Sequence, residues 1–398
     1  MHDAVRKLAF GAAVLALLAL FAYARAEPTA SRAEEVEATL RRIRLPDGFS
    51  ISLYALVPHA RSLAVAPGGE AIFVGTDERR IFALTPGGER AAAVEPFASD
   101  AAFVMPHGLC FDKDGTLFVA EQNRVSSFAR AASDRHRLRA ADARILVPQG
   151  ALIPPAEQSP FHSARICRVG PDGKLYVSLG QPHNVPPPDK LALYDRIGMG
   201  GIIRMNRDGS GREVFARGIR NSVGMDFDPS DGVLWFTDNQ VDSMGDDTPP
   251  GEINRAPRAG LNFGFPWYGG GKVRTREYAR ETPPADVVFP EVEEAPHAAD
   301  LGMIFYTGDM FPPRYRGGVF SAQHGSWDRA MPVGARVMFT PVGADRKASA
   351  SEPFAEGWNT TDPHYLGRPV DVAQLPDGSL LVTDDQNGAV YRIAYVAR

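Results

Sequence analysis

One strand–turn–strand phrase recurs along this chain, and the repeat restricts the possible folds more than any other feature of the sequence. Each copy consists of an apolar strand, a turn that ends in glycine, and a second apolar strand. The turn glycines are 46, 58, 59 and 146 residues apart, at Gly69, Gly115, Gly173, Gly232 and Gly378. The longest gap holds a weaker copy at 301–322, so the chain contains six units.

Several strands per unit and a spacing in this range are typical of a β-propeller. A third strand follows the turn in several units, for example at 80–84, 125–129 and 202–205. One unit cannot bury both of its faces, so we expect the units to close into a ring, with the segment at 49–54 joining the last one. The sequence therefore predicts an all-β fold, a six-bladed β-propeller. The alternative, a β-sandwich, requires no such repeat.

The N-terminus has the three parts of a secretory signal peptide. Two basic residues precede an apolar stretch at 8–24, which ends in an Ala-Arg-Ala cleavage site. We therefore predict a signal peptide at 1–26, a leader or helix at 27–44, and the propeller at 45–398. The mature protein is then expected in the periplasm or secreted. The alternative is a retained membrane anchor that faces the periplasm, since the apolar stretch is near the short limit for a membrane span.

Composition narrows the expected partners and says little about the oligomeric state. Apolar residues make up 44% and charged residues 23% of the chain, as in an ordinary globular protein. The net charge of −5, without a long basic run, argues against a nucleic-acid partner.

The two cysteines, Cys110 and Cys167, fall in inner strands of adjacent units, where small buried apolar residues are expected. A disulfide between them is the alternative, which an oxidising compartment would permit.

Polar residues precede the inner strand of most units. In a propeller the inner strands run in the same direction along the central axis, so these residues are expected to meet at one end of the channel. They are Arg61, His107, His162, Arg220 with Asn221, and Arg368. Arginine binds carboxylates with two parallel hydrogen bonds, and histidine transfers protons near neutral pH. Each of these residues alone could be an ordinary loop residue that is hydrogen-bonded to the backbone. Because all of them occupy the same position relative to an inner strand, we predict a site for an anionic ligand.

An acidic segment follows the fourth unit. Five carboxylates lie between 238 and 252, interspersed with amides and glycines. Such a loop can bind a hard cation such as Ca²⁺. The alternative is a solvated acidic loop that is held by local turns.

Several ordered motifs resemble one known family. These motifs lie at 162–177, 218–224, 251–266, 305–329 and 367–378. They resemble the soluble quinoprotein sugar dehydrogenases, also called glucose/sorbosone dehydrogenases, and in particular the sorbosone-dehydrogenase-like branch. That family consists of six-bladed propellers that bind pyrroloquinoline quinone (PQQ) and calcium. The resemblance covers nearly all of the chain after residue 45.

The resemblance also implies roles for individual residues. His162 stands at the position of the family's catalytic base, and Arg220 with Asn221 at its quinone-contacting pair. Arg368 matches the first arginine of a later pair, and His324 falls near a quinone-contacting lysine. The calcium is expected at the backbone carbonyls of Gln240 and Val241, with Asp247 as a further candidate ligand.

Two positions depart from the family pattern. Gln181 replaces the aspartate that orients the base, and Val370 replaces the second arginine of the later pair. An imidazole without a carboxylate partner is a weaker base, and losing an orienting group lowers the rate. Asp300 or His183 could take the place of that aspartate; otherwise the protein is expected to bind the quinone and turn over slowly.

These features together predict an enzyme that oxidises an aldose or a sugar aldehyde. His162 would remove the hydroxyl proton while hydride passes to PQQ. No haem-attachment motif is present in the sequence, so a separate periplasmic cytochrome or quinone would reoxidise the cofactor. Two other functions stay open: a non-catalytic ligand-binding propeller and a calcium-dependent lactonase.

Overall fold

Six antiparallel sheets make up most of the protein in a computed structural model, which describes residues 29–360 and 364–396. The predicted signal peptide at 1–26 lies outside the described residues. Helix α1 (Thr29–Leu40) and strand β1 (Phe49–Leu56) precede the first blade. Of the described helices, none has the length and apolar character that a membrane span requires.

The first three blades each pair four strands in chain order. Their strands are β2 (Ala60–Val65), β3 (Ile72–Thr76), β4 (Ile81–Thr85) and β5 (Ala93–Phe97); β6 (Gly108–Phe111), β7 (Leu117–Ala120), β8 (Val125–Phe128) and β9 (Arg144–Val147); and β10 (Cys167–Val169), β11 (Leu175–Leu179), β12 (Gly201–Met205) and β13 (Glu213–Arg217). Helix α2 (Ala131–Asp134) lies between β8 and β9, and helix α3 (Pro188–Ile197) between β11 and β12.

The last three blades follow the same plan with two additions. Their strands are β14 (Met225–Phe227), β15 (Leu234–Asp238), β16 (Gly251–Ala256) and β20 (Val292–Glu294); β21 (Asp300–Phe305), β22 (Val319–Gln323), β23 (Arg336–Thr340) and β24 (Glu352–Glu356); and β25 (Pro369–Gln374), β26 (Leu380–Asp384) and β27 (Ala389–Tyr395) with β1. Strand β17 (Leu261–Asn262) adds to blade three parallel to β13. Strands β18 (Tyr268–Gly270) and β19 (Val273–Arg274) form a separate hairpin.

Strand β1 closes the ring, as the sequence predicts. It pairs antiparallel with β27, and Ile51 lies opposite Ile393. The inner strands β2, β6, β10, β14, β21 and β25 pack against one another in that circular order. The prediction of an all-β, six-bladed propeller is therefore confirmed.

The repeated glycines occupy the hairpin turns between the first and second strands of their blades. Their φ angles range from 71° to 87°, at Gly69, Gly115, Gly173, Gly232 and Gly378. This left-handed conformation is readily adopted by glycine and strains other residues. The backbone therefore explains why the repeat is most visible at its turns.

Helix α1 packs on the outside of blades five and six. Val36 and Leu40 are buried in an aromatic cluster that also contains Phe311, Phe320 and Phe354. The opposite face of the helix carries charged side chains to solvent. The predicted leader is therefore a docked amphipathic helix over the part of it that is described.

Cys110 and Cys167 form a disulfide. They lie on the inner strands β6 and β10 of neighbouring blades, with their Cα atoms 5.7 Å apart. Both side chains are buried, as predicted for small apolar residues. The prediction that they are two separate thiols is wrong, because the two sulfur atoms are bonded. The registers of the two strands place the sulfur atoms face to face across the blade interface, which sequence spacing does not reveal.

Candidate functional site

The end of the channel from which the inner strands start holds a cavity of about 170 Å³. Its lining combines residues that precede inner strands with residues from the long loops of blades four and five. They are His162, Arg220, Asn221, Asn239, Gln240, Asp242, His297, Ala299 and Trp327. The structure therefore brings together the predicted base, the Arg-Asn pair and one predicted calcium-loop residue.

His162 lines this cavity, and one of its ring nitrogens holds the ring in position. Its Nδ1 lies 2.7 Å from the carbonyl oxygen of Gln181. A carbonyl can only accept, so Nδ1 carries the hydrogen and Nε2 keeps its lone pair. Burial, assisted by the charge of Arg220, lowers the pKa of His162 to about 3. The imidazole is therefore neutral and able to accept a proton over the whole physiological pH range.

Gln181 orients His162 through its main chain. Its side chain turns away, because the amide group bonds both the NH and the carbonyl of His183. The two residues that were expected to replace the missing aspartate do not contact His162. Asp300 accepts a hydrogen bond from Gln323 at 2.9 Å, and His183 stacks on Tyr194. Among the described residues, neither side chain is hydrogen-bonded to His162.

Arg220 is buried and already bonded on several sides. Its guanidinium pairs with Asp242 at 2.6 Å and donates to the side chain of Asn184 at 2.8 Å and to the carbonyl of Asn239 at 3.3 Å. The main-chain NH groups of Arg220 and Asn221 both donate to Asp238. Burial raises the pKa of Asp238 to about 6 in spite of these bonds. Arg220 thus lines the cavity as a fixed positive charge.

A second cluster of charged groups adjoins the cavity. Asp385 accepts hydrogen bonds from Arg61 and from Nε2 of His324, with its two oxygens 2.9 and 3.1 Å from that nitrogen. Arg368 donates from Nε to the carbonyl of His324 at 3.0 Å. The main-chain NH of His324 donates to Ala299, which lines the cavity. The structure thus gathers Arg61, His324 and Arg368 around a carboxylate that was not predicted.

A repeated sequence signal could have pointed to Asp385. The second strands of blades four and six end in Thr237-Asp238 and Thr383-Asp384. In both blades this aspartate accepts the main-chain NH of the arginine that precedes the inner strand: Asp238 that of Arg220, and Asp384 that of Arg368. Asp385 is the next residue, and its position follows from that of Asp384.

His107 lies deeper in the channel than a loop residue would. It is 1% exposed, and its Nδ1 lies 2.8 Å from the carbonyl of Arg165. Burial, with the charge of Arg61, lowers its pKa to about 3. Its Nε2 is buried without a hydrogen-bond partner among the described residues. His107 is therefore a neutral acceptor beside Arg61.

The predicted calcium loop supplies several candidate oxygen ligands. In the described chain, no hydrogen bond ends on the main-chain carbonyl of Gln240 or Val241, and Oε1 of Gln240 is buried without a partner. Asp242, His297 and Asp328 offer ligand atoms that lie within 4.8 Å of one another. Sequence reasoning missed His297 and Asp328, because they belong to other blades.

Asp247 does not belong to this group. Its side chain is 92% exposed, and its nearest charged partner is Arg329 at 3.5 Å. The acidic segment folds so that Asp242 lines the cavity while Asp247 points to solvent. The structure therefore does not support Asp247 as a ligand.

The residues present fit an anionic cofactor with a hard cation. Polar atoms at this end of the channel are buried with no partner among the described residues: Nε of Arg61, Nε2 of His107, Oδ1 of Asn221 and Oε1 of Gln240. Buried polar atoms are almost always hydrogen-bonded, so the unpartnered oxygens of Asn221 and Gln240, two residues that line the cavity, indicate a place for a polar ligand. Guanidinium groups suit carboxylates, and the amide, carbonyl and carboxylate oxygens suit Ca²⁺.

Comparisons with known sequences agree with the motifs. An uncharacterized protein of Borreliella burgdorferi is 30% identical over 370 residues, which cover 91% of this chain and 93% of that protein. The aldose sugar dehydrogenase YliI of Escherichia coli is 27% identical over 249 residues, covering 56% of this chain and 58% of that protein.

Solved structures share the fold. The Trichoderma reesei enzyme of Carbohydrate-Active Enzymes Family AA12 superposes with a TM-score of 0.74 at 19% identity, over 89% of this chain and 98% of that one. The PQQ domain of Coprinopsis cinerea pyranose dehydrogenase gives 0.71 at 19% identity, over 88% and 97%. The PQQ-bound aldose sugar dehydrogenase of Streptomyces coelicolor gives 0.59 at 17% identity, over 88% and 99%. At these identities the likeness establishes the propeller fold alone.

A family-wide sequence profile makes the assignment. The profile described as Glucose / Sorbosone dehydrogenase matches residues 111–392, which include three complete blades, most of blade two, part of blade six and every cavity-lining residue. The chain is therefore a member of the glucose/sorbosone dehydrogenase family.

Proposed function

We propose that this protein is a PQQ-dependent sugar dehydrogenase that oxidises an aldose or a sugar aldehyde. The family membership supports sugar oxidation, and the names of the E. coli, C. cinerea and S. coelicolor relatives support an aldose or pyranose substrate and PQQ. The observation that carries the proposal is the pair of buried oxygens without a partner among the described residues, Oδ1 of Asn221 and Oε1 of Gln240, on two residues that line the same cavity as His162.

In this proposal the protein binds and orients the cofactor. Arg61, Arg368 and His324 offer charge to its carboxylates, while Asn221 and the Gln240–Val241 loop bind its polar edge and a calcium ion. When bound, PQQ supplies an ortho-quinone that accepts a hydride from the carbon atom being oxidised.

His162 takes the proton in the proposed reaction. His162 lines the cavity, and its Nδ1–H is held by the carbonyl of Gln181, so Nε2 is the nitrogen left to accept a proton. The hydroxyl proton of the sugar passes to Nε2 as the C–H bond breaks. The low pKa of the ring makes it a weak base, which predicts slower turnover than a carboxylate-paired histidine would give.

Exposed apolar side chains at the cavity mouth suit a sugar. Trp327 lines the cavity with 73% of its surface exposed, and Phe161 beside His162 is 69% exposed. An exposed aromatic ring offers a flat apolar face to the C–H groups of a pyranose.

Location and electron transfer are part of the same proposal. The signal-like N-terminus favours a periplasmic or secreted protein, with membrane anchoring as the alternative. In the periplasm, a cytochrome or a quinone would then reoxidise the cofactor.

A non-catalytic binding propeller is the second candidate. It is favoured by one observation: His162 is bonded to a main-chain carbonyl where a carboxylate would increase its basicity. A protein of this kind would bind PQQ without reducing it.

Reconstitution distinguishes the two functions. Metal-stripped protein is mixed with PQQ and Ca²⁺, and the quinone absorbance is followed as aldoses and sugar aldehydes are added. Bleaching by a sugar supports the dehydrogenase. Tight binding without bleaching by any sugar supports the binding propeller, and absence of binding contradicts both.

A further inference from the structure

His324 and Asp385 form a charged pair that is linked to the cavity through the main-chain bond from His324 to Ala299. Both oxygens of Asp385 lie within 3.1 Å of Nε2 of His324. The side chains are 18% and 14% exposed, so solvent screens the pair only partly. No comparable carboxylate contacts His162 or His107 among the described residues.

The pair fixes the tautomer of His324. Although burial alone would raise the pKa of Asp385, the neighbouring charges of His324, Arg61 and Arg368 hold it below its ordinary value. An ionised carboxylate only accepts hydrogen bonds, so the hydrogen of His324 must sit on Nε2. Nδ1 is then the atom that gains or loses a proton.

More positive than negative groups surround the imidazole of His324. Those that act on its imidazole are Asp385 from the loop after β26, Arg368 before β25 and Arg61 on β2. Two guanidinium groups face one carboxylate, and the ring is partly buried. Burial, together with the two arginines, therefore lowers the pKa of His324, although Asp385 acts in the opposite direction.

A carboxylate-bearing ligand would reverse this balance. An anion that binds Arg61, whose Nε is buried without a partner among the described residues, cancels the excess positive charge, and imidazolium becomes the favoured form of His324. Since Asp385 occupies Nε2, the added proton goes to Nδ1. This raises the pKa of His324 in the ligand-bound protein above its value in the free protein.

We propose that Asp385 is a positioning residue that makes binding of the anionic cofactor take up a proton at Nδ1 of His324. Because cofactor binding and protonation of His324 are coupled, the affinity of the protein for the cofactor is highest at low pH. It falls by up to about tenfold per pH unit as the pH rises toward the pKa of His324 in the bound protein. The inference rests on the proposed function, because it concerns binding of that cofactor to the same site.

Calorimetry tests the proposal. PQQ is titrated into the Ca²⁺-loaded protein in buffers of different ionisation enthalpy, which gives the number of protons taken up. The wild type is expected to take up close to one proton at slightly acidic pH. His324→Gln and Asp385→Asn are both expected to abolish this uptake. At high pH, Asp385→Asn should bind PQQ at least as well as the wild type, because it frees Arg61.

Two checks separate this role from general damage to the fold. Nitrogen NMR of the cofactor-free wild type should show His324 as the Nε2–H tautomer, and Asp385→Asn should mix the tautomers. An exposed pair with similar geometry, His136 and Glu95 at 2.7 Å, is the matched control. His136→Gln and Glu95→Gln should keep wild-type proton uptake.

The outcomes are distinguishable. PQQ binding without proton uptake, or unchanged uptake in both site variants, would overturn this inference and leave the proposed function standing. An Nδ1–H tautomer in the free protein would overturn it as well. Absence of PQQ binding to the wild type would overturn the proposed function and the inference with it.

Discussion

The main-chain carbonyl of Gln181 accepts a hydrogen bond from Nδ1 of His162 at 2.7 Å. The ring is thus oriented by the backbone, and the side chain at 181 plays no direct part. A carboxylate introduced at 181 would not reach Nδ1 without displacing this carbonyl, so Gln181→Asp is not expected to restore a carboxylate-paired base.

Removing the imidazole should stop proton transfer and leave cofactor binding intact. His162→Ala is expected to lower kcat by about 10²–10⁴-fold, the usual contribution of a general base. The neutral ring is the active form, and its pKa is lowered to about 3. The kcat–pH profile of the wild type should therefore show no loss from His162 until the pH falls toward that value. Steady-state kinetics of the reconstituted protein measure the change in kcat and the pH profile, and His136→Ala is the control. Unchanged turnover in His162→Ala would contradict the assignment of His162 as the general base.

Calcium binding should depend on Asp242 and not on Asp247. Asp242 lines the cavity beside Gln240, whereas the side chain of Asp247 is 92% exposed. Asp242→Asn is expected to weaken Ca²⁺ binding at least about tenfold, because a charged oxygen ligand is lost. Asp247→Asn should bind Ca²⁺ like the wild type. Equilibrium dialysis of chelator-treated protein gives both constants, and equal losses in the two variants would contradict this placement of the ion.

Trp327 should contribute to sugar affinity and little to stability. Its side chain is 73% exposed, so truncation removes few internal contacts. Stacking on an aromatic ring contributes about 0.5–1.5 kcal/mol, so Trp327→Ala should raise KM up to about tenfold. The melting temperature should stay within a degree or two of the wild type. Ile145→Ala, at an exposed position on blade two, is the control for a general surface effect.

Asp371 should make the protein less stable as the pH rises through the weakly acidic range. Burial raises its pKa from 3.8 in the unfolded chain to about 6 in the folded protein. The folded state thus binds the proton more tightly, and its advantage is complete below pH 3.8 and lost by about pH 6. The difference corresponds to about 3 kcal/mol in the free energy of unfolding.

The variant Asp371→Asn separates this pH effect from the loss of hydrogen bonds. Asp371 accepts the main-chain NH groups of Leu63 and Val372, and asparagine can keep only the bonds made by its single oxygen. The variant should be less stable than the wild type at low pH, where Asp371 is neutral, and should lose the pH dependence that Asp371 contributes. Urea unfolding at several pH values measures this, and an unchanged slope in the variant would assign the dependence to other buried carboxylates.

The fold could be predicted because its repeat is marked by backbone requirements. Glycines with φ between 71° and 87° recur at the blade turns, and the strands between them are apolar. The weaker fifth copy keeps its strand pattern around Gly317 and Gly318. The site could be predicted in part, since His162 and Arg220 precede inner strands that meet at one axis.

The remaining site residues depend on loop paths that the repeat does not determine. His297 and Ala299 reach the cavity through backbone with φ of 64° and 59°, which no sequence pattern at those positions indicates. The exposure of Asp247 has the same origin, because turns within the acidic loop decide which carboxylate faces inward. The disulfide could not be predicted, because the spacing of the cysteines in the sequence does not determine the register of two strands across a blade interface.

The pairing of β1 with β27 has a consequence for biogenesis. The last blade is assembled from opposite ends of the polypeptide, so the first strand has no partner until the final one has been made. During synthesis or export, the N-terminal strand must therefore wait with an unsatisfied edge while five other blades form. A chain interrupted before residue 389 lacks the partner of β1 and cannot complete the circle.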